Sequence, residues 1–193
     1  MRQTKDNLLR AMLWGSAFVS VAVLLTIVGY LFYKGFSYIS FDFIFGDYSP
    51  VGGGGIFPMI ITTIYTIIIS LLIATPIGIL AAVYLQEYAK QGRLVRIIRY
   101  ATESLTGIPS IIYGLFGAVF FVAILKLGMS IIAASLTLTI IVLPVIIRTT
   151  EEALKTVPAS YREGSLALGT TKLQTLYKVI LPSAMPGILS GII

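Results

Sequence analysis

The sequence contains no cysteine and no histidine. Disulfides, thiolate nucleophiles, the commonest metal ligands and the base that titrates near neutral pH are excluded with them, and the chain carries no mark of its redox compartment. Charge is scarce as well. Of 193 residues, 11% are charged and 57% are apolar, whereas a soluble domain carries about 25% charged residues. A chain so poor in charge fits lipid as its solvent better than water. The four complete apolar spans drawn below lack Asp, Glu, Lys and Arg altogether. This counts against proton coupling through intramembrane carboxylates and leaves transport energy to come from elsewhere. It also counts against a membrane-embedded enzyme, which needs catalytic acids, His or Cys facing a cavity.

What is present is long apolar runs. Ala11 to Tyr33 is 23 residues without a charge. As a helix it reaches roughly 35 Å, enough to cross the hydrocarbon core with some tilt. Arg2, Lys5 and Arg10 precede it, but the run is long for a signal peptide and no small-x-small cleavage site follows, so it reads as a retained first span. Phe57 to Tyr84 reads as the second span. A third starts near Leu105 and ends before Lys126. Lys126 to Gly128 is a tight turn, and Ser130 to Ile147 is the fourth. A fifth apolar run begins at Val179 and reaches Ile193. With the N-terminus in the cytoplasm, the inside segments 1–10, 85–104 and 148–178 hold 12 of the 14 Lys and Arg, and the positive-inside rule selects that orientation. The same distribution explains the net charge of +6 by the anionic leaflet, with no need for nucleic acid.

The outside segment 34–55 carries Phe36, Tyr38, Phe41, Phe43, Phe45 and Tyr48. It reads as an aromatic belt at the headgroups or as a docking surface for an extracytoplasmic partner. Gly52 to Gly55 read as a flexible lead into the second span. Pro76, Gly78, Gly107, Pro109, Gly114, Gly117 and Pro144 lie inside the spans. Together they suggest kinked, closely packed helices around a pathway.

Arg148 to Pro182 reads as a loop of two short helices. Ser160 and Glu163 have capping-box spacing, Tyr161 to Leu168 follow, and Gly169 suits the residue just past a helix end. Thr171 and Gln174 form a second capping box ahead of Lys172 to Val179, and Pro182 stands near the start of the next span. Leu166, Leu168, Leu173 and Leu176 give this knuckle an apolar surface too short to span. It suits docking into a groove on another protein, or lying on the bilayer as an interfacial helix. Gly164 and Gly169 have phosphate-loop spacing, but Thr170 stands where the lysine belongs and no strand precedes it. ATP is not expected to bind this chain by that route.

Glu163, Gly164, Ser165, Gly169, Val179, Leu181 and Pro182 resemble the EAA loop of ABC-importer permeases, usually Glu-Ala-Ala-x3-Gly-x9-Ile-x-Leu-Pro. Gly164, Ser165 and Val179 replace the alanines and isoleucine within their size class. Leu105–Gly114, Leu143–Leu154, Val157 with Pro158, and Arg162 with Glu163 are similar to the phosphate-importer permeases, particularly their PstA-like subunits, as is the Gly52–Ile56 run; the similarity covers about residues 50–193. The resemblance implies an all-α polytopic transmembrane bundle of MetI-like fold, with residues 1–56 ahead of a permease domain at 57–193. It implies a prokaryotic inner-membrane phosphate importer in which loop 148–182 sits in a cleft of a cytoplasmic ATPase subunit. Further implied partners are a second, PstC-like permease, two ATPase subunits in all and an extracytoplasmic phosphate-binding protein, beside membrane lipid. ATP then belongs to the ATPases, and this chain binds no cofactor. Arg148 is implied as a phosphate contact, or else it is a positive-inside anchor paired with Glu151 or Glu152. Glu151, Ser110 and Tyr113 are pathway or supporting positions. Family members continue through a complete fifth span and a sixth, so the expectation for this chain is four complete spans and part of a fifth, as in a truncated permease. A same-fold permease for sulfate or molybdate, or a membrane scaffold, is the alternative.

Overall fold

A computed structural model describes residues 2–50 and 54–193, without the side chains of residues 2–5 and 8. The expectations on Gly52 and Gly53, and on the side chains of Arg2 and Lys5, lie outside the described residues. Among these residues the structure is helical and contains no strand. The chain divides into two compact units, Met1–Ile61 and Thr62–Ile193.

In the first unit, helix α1 (Arg2–Gly35) carries the first apolar run and exposes almost all of its described side chains. A single 3-10 turn (Phe36–Tyr38) follows. The short α2 (Phe41–Phe45) starts where the Ser40 hydroxyl accepts the Phe43 N–H at 3.1 Å, an N-cap. The aromatic rings of this stretch point largely outward. Just ahead of the next helix, Gly55 N–H donates to Asp47 O and Ile56 N–H to Phe43 O, both at 2.8 Å. A Cβ on Gly55 would strike the Gly46 backbone, so this glycine serves close backbone approach as well as flexibility.

The next helix, α3 (Phe57–Val83), runs on into the second unit and ends in a π-helical widening, Tyr84–Tyr88. Residues 93–106, drawn from sequence as mostly loop, form helix α4 (Arg93–Thr106). The apolar stretch that follows starts later than expected, at α5 (Ser110–Gly117), and continues as a π segment to Ile124. Pro109 explains the shift, because it disfavours helical backbone at Ile108, and α4 and α5 meet at 95°. The turn at 126–128 is as read, with Lys126 and Gly128 both left-handed at φ 55° and 65°. Helix α6 (Ile131–Thr156) is capped by the Ser130 hydroxyl. It runs unbroken past Ile147 for more than two further turns, so Arg148, Glu151 and Glu152 stand on the helix itself. Then come α7 (Ala159–Ala167), α8 (Lys172–Thr175) with a π turn at Leu176–Ile180, and α9 (Leu181–Ile192). Leu9–Tyr38, Phe57–Tyr88 and Ile131–Thr156 are long and apolar enough to cross a membrane, and the bent α4–α5 pair makes a fourth if it is one span.

Packing in the second unit relies on small residues, as expected where lipid removes any hydrophobic drive between helices. Gly78 lets α3 close on Ile146 of α6, Gly117 meets Thr137, and Gly187 and Gly191 of α9 meet Ala153 and Thr149 of α6. Gly114, by contrast, has open space around it. Most described span hydroxyls bond back to their own helix, as Ser70 does to Ile67 O and Ser135 to Ile131 O. Thr139 also reaches across to Ser70 O at 3.4 Å. A core of Val83, Ala153, Leu154, Val157, Leu176, Ile180, Ala184 and Ile188 seals one end of the bundle. Upon that end sit α7 and α8.

Candidate functional site: the knuckle and the charged cleft

The knuckle starts differently from its sequence reading. Ser160 is not the N-cap of α7. Pro158 holds that position with extended backbone (ψ 140°) and no side-chain cap, and Ser160 lies inside the helix. Proline accounts for the shift: its fixed φ suits a helix start, and it disfavours helical backbone at Val157. Glu163 is therefore free of the predicted capping role. It lies exposed on α7 and makes no hydrogen bond or ion pair among the described residues. The other signals hold. Gly169 adopts φ +82° just past α7, a conformation that costs other residues energy. Thr171 and Gln174 form the reciprocal capping box, Gln174 N–H to Thr171 Oγ1 at 3.3 Å and Thr171 N–H to Gln174 Oε1 at 2.9 Å.

Ser165 points inward. Its hydroxyl lies 2.8 Å from Thr170 Oγ1 and 3.0 Å from Thr175 Oγ1, and those two are 2.8 Å apart. This closed hydroxyl triangle locks α7 against α8 across Gly169, which gives Ser165 a reason to be polar where the loop motif has alanine. Gly164 has open space around it. Leu181 and Pro182 open α9 directly after the π turn at Leu176–Ile180. Tyr161, Leu166, Leu168 and Leu173 point outward, Leu168 at 86% exposure.

The base of the knuckle is held by a group the sequence did not single out for this. The Arg162 guanidinium bridges to Glu87 at 2.7 Å and donates to the carbonyls of Val157 and Leu154, each at 3.0 Å.

Beside it, Arg99, Arg148 and Lys155 face Glu103, Glu151 and Glu152 around a cleft of about 180 Å³. Three cations meet three carboxylates, so the cleft carries no formal net charge. The two arginines are held differently. Arg99 donates to buried Glu151 at 3.2 Å, to Gln91, to Gln86 and to Leu85 O, tying α4 to α6 and to the end of α3. Arg148 is half exposed, with Glu152 at 3.3 Å and Glu103 at 3.1 Å. The pairing with Glu152 matches one sequence expectation. Glu151 turns away to Arg99, and Glu103 was not foreseen. Tyr113 is buried, donating its hydroxyl to Leu105 O at 2.8 Å. It therefore braces the break between α4 and α5, while Ser110 is exposed at the start of α5.

The described residues thus form helices only, three or four stretches of them long and apolar enough to cross a membrane, with a compact knuckle at one end of the second unit. Residues 74–193 match the family of binding-protein-dependent transport system inner membrane components, and the chain belongs to that family. That family consists of inner-membrane transport components, in keeping with those three or four apolar stretches. Over its full length it is 37% identical to the probable ABC transporter permease protein YqgI of Bacillus subtilis, covering 66% of that protein. It is 34% identical, again over all of this chain, to the phosphate transport system permease protein PstA of Pasteurella multocida, covering 69% of it. PstA 1 of Mycobacterium tuberculosis is 39% identical over 72% of this chain and 46% of its own length. The chain thus spans between about half and two thirds of these relatives. Among solved structures, the inward-facing MetNI methionine ABC transporter matches 72% of this chain and 64% of its own, with a TM-score of 0.56 and 28% identity.

Proposed function

We propose that this chain is a transmembrane subunit of an ATP-driven inorganic phosphate importer, working by conformational change with no covalent chemistry of its own. The observation that carries the reading is the knuckle: a rigid base locked by Arg162 and the Ser165–Thr170–Thr175 triangle, and an outer face of exposed Leu and Tyr around Gly169. Such a surface suits the groove of a cytoplasmic ATPase, with the N-terminus on the same side as the positive-inside count requires. The complete transporter then pairs this subunit with a PstC-like permease, two ATPases that bind the ATP, and an extracytoplasmic phosphate-binding protein. The PstA relatives support phosphate as the solute.

Arg148 is the candidate phosphate contact. Its bridges to Glu103 and Glu152 are solvent-exposed, and such bridges contribute little. A phosphate can therefore replace a carboxylate at small cost and gain a planar, two-pronged donor. Beside it the Arg99–Glu151 pair, buried on the glutamate side, ties α4 to α6. The test is phosphate uptake by the complete transporter in proteoliposomes. Arg148→Lys loses the fork and lowers uptake roughly tenfold, since one of two parallel hydrogen bonds goes. Unchanged uptake and unchanged coupled hydrolysis reject the contact. Normal assembly and hydrolysis with transport of another anion in place of phosphate reject the solute alone.

A further inference from the structure

The end of α3 grips both halves of the knuckle with adjacent residues. Glu87 accepts from Arg162 of α7 at 2.7 Å and 3.2 Å. The Tyr88 ring lies 5.3 Å from the ammonium of Lys172, the first residue of α8, within the range of a cation–π contact. Both sit on the π-helical widening at Tyr84–Tyr88, a local irregularity of the kind that recurs at functional sites. Arg162 also donates to carbonyls at the end of α6, those of Leu154 and Val157. One guanidinium therefore joins three elements: α3, α6 and α7. The side chains of Arg162 and Glu87 are only 25% and 11% exposed, so removing either strands a largely desolvated partner.

The chain connects the knuckle to α6 through Val157 and Pro158, and to α9 through the turn at Leu176–Ile180. Helix α3 has no such continuity, since Glu87 and Arg162 are 75 residues apart. Whatever the knuckle passes to α3 goes through side chains.

We infer that Glu87 and Arg162 are a positioning pair that makes α3 move as one body with the knuckle and the end of α6, so that ATPase closure drives two spans at once. This rests on the proposed docking of the knuckle to an ATPase. The test uses the complete transporter in proteoliposomes, with solute transported per ATP hydrolysed as the readout. Glu87→Gln and Arg162→Gln each lower that ratio about tenfold, mid-range for coupling between separate sites, and the double variant is no worse than either single one. A merely structural role lowers transport and hydrolysis together and leaves the ratio unchanged; that result overturns the inference.

A second measurement needs no charge variant. This chain has no cysteine, so within this subunit spin labels go only onto cysteines introduced at the exposed Leu80 of α3 and the exposed Ser160 of α7. Their separation is expected to be the same with and without trapped ATP, and to broaden on trapping in Arg162→Gln. A shift in the otherwise unaltered transporter overturns the inference even if the glutamine variants fail to assemble. A chain that neither co-purifies with an ATPase nor supports hydrolysis overturns the docking reading as well, whereas normal transport with an unchanged ratio in both variants overturns the pair alone.

Discussion

The crossing of α3 and α6 at Gly78 makes a sharp prediction, because two ordinary effects oppose each other there. Alanine is the better helix former by about 1 kcal/mol, so propensity alone says that Gly78→Ala stabilises. Sterically, the added Cβ falls 2.6 Å from Ile146 Cγ2 and 3.1 Å from Ile146 Cβ. Carbon atoms rest about 3.5–4.0 Å apart, so the overlap is close to 1 Å. Ile146 is 0% exposed, and a β-branched side chain in a helix has one strongly preferred χ1 rotamer. It cannot swing away, and overpacking of this kind costs about 1–3 kcal/mol. The net expectation is a loss of about 1 kcal/mol. Ile146→Leu moves the branch from Cβ to Cγ and removes the clashing methyl, at a cost below about 1.5 kcal/mol by itself. In the double variant part of the loss is recovered, a coupling of about 1 kcal/mol. Reversible unfolding in mixed micelles, followed by circular dichroism, measures all three. A Gly78→Ala protein as stable as the parent or more so, or strict additivity with Ile146→Leu, refutes the close crossing.

Other positions give smaller, independent tests. Gly169→Ala meets no atom within 4 Å but must adopt φ +82°, so it destabilises by about 1 kcal/mol through backbone strain alone, read as a lower melting temperature. Thr171→Ala loses the capping box and costs about 1 kcal/mol in the same assay. Thr150 is 1% exposed, and its hydroxyl has no hydrogen-bond partner among the described residues. Thr150→Val keeps the shape and removes an unsatisfied group, so unfolding shows unchanged stability or a gain of about 1 kcal/mol.

How far the sequence could be read follows the range of the interactions. Long uncharged runs gave the spans, since lipid thickness is a local constraint on length. Gly169 and the Thr171–Gln174 box were legible because helix ends are decided within four residues. Ser160 misled because Pro158, two positions earlier, sets the start of α7 more firmly than a serine can. Residues 93–106 went unread as a helix although Leu94, Ile97 and Ile98 have helical spacing, because arginines dominate the segment's composition. The partners that organise the site were out of reach for a different reason. Arg99 and Glu151 are 52 residues apart, and Glu87 and Arg162 are 75 apart. No local pattern encodes pairs that only helix packing brings together. Of the two partners read for Arg148, Glu152 is the one it meets, one helical turn away, but Glu103 from α4 could not have been foreseen without the bend at Pro109.

The central claim, that the knuckle is the surface an ATPase holds, has a direct test at Leu168, the outermost large apolar side chain of α7–α8. A photo-crosslinking amino acid placed there in the complete transporter is predicted to give one dominant adduct, with the ATPase subunit. Adducts with lipid alone, in a preparation where the ATPase still co-purifies and hydrolyses ATP, would mean that the knuckle lies on the bilayer and would contradict the account.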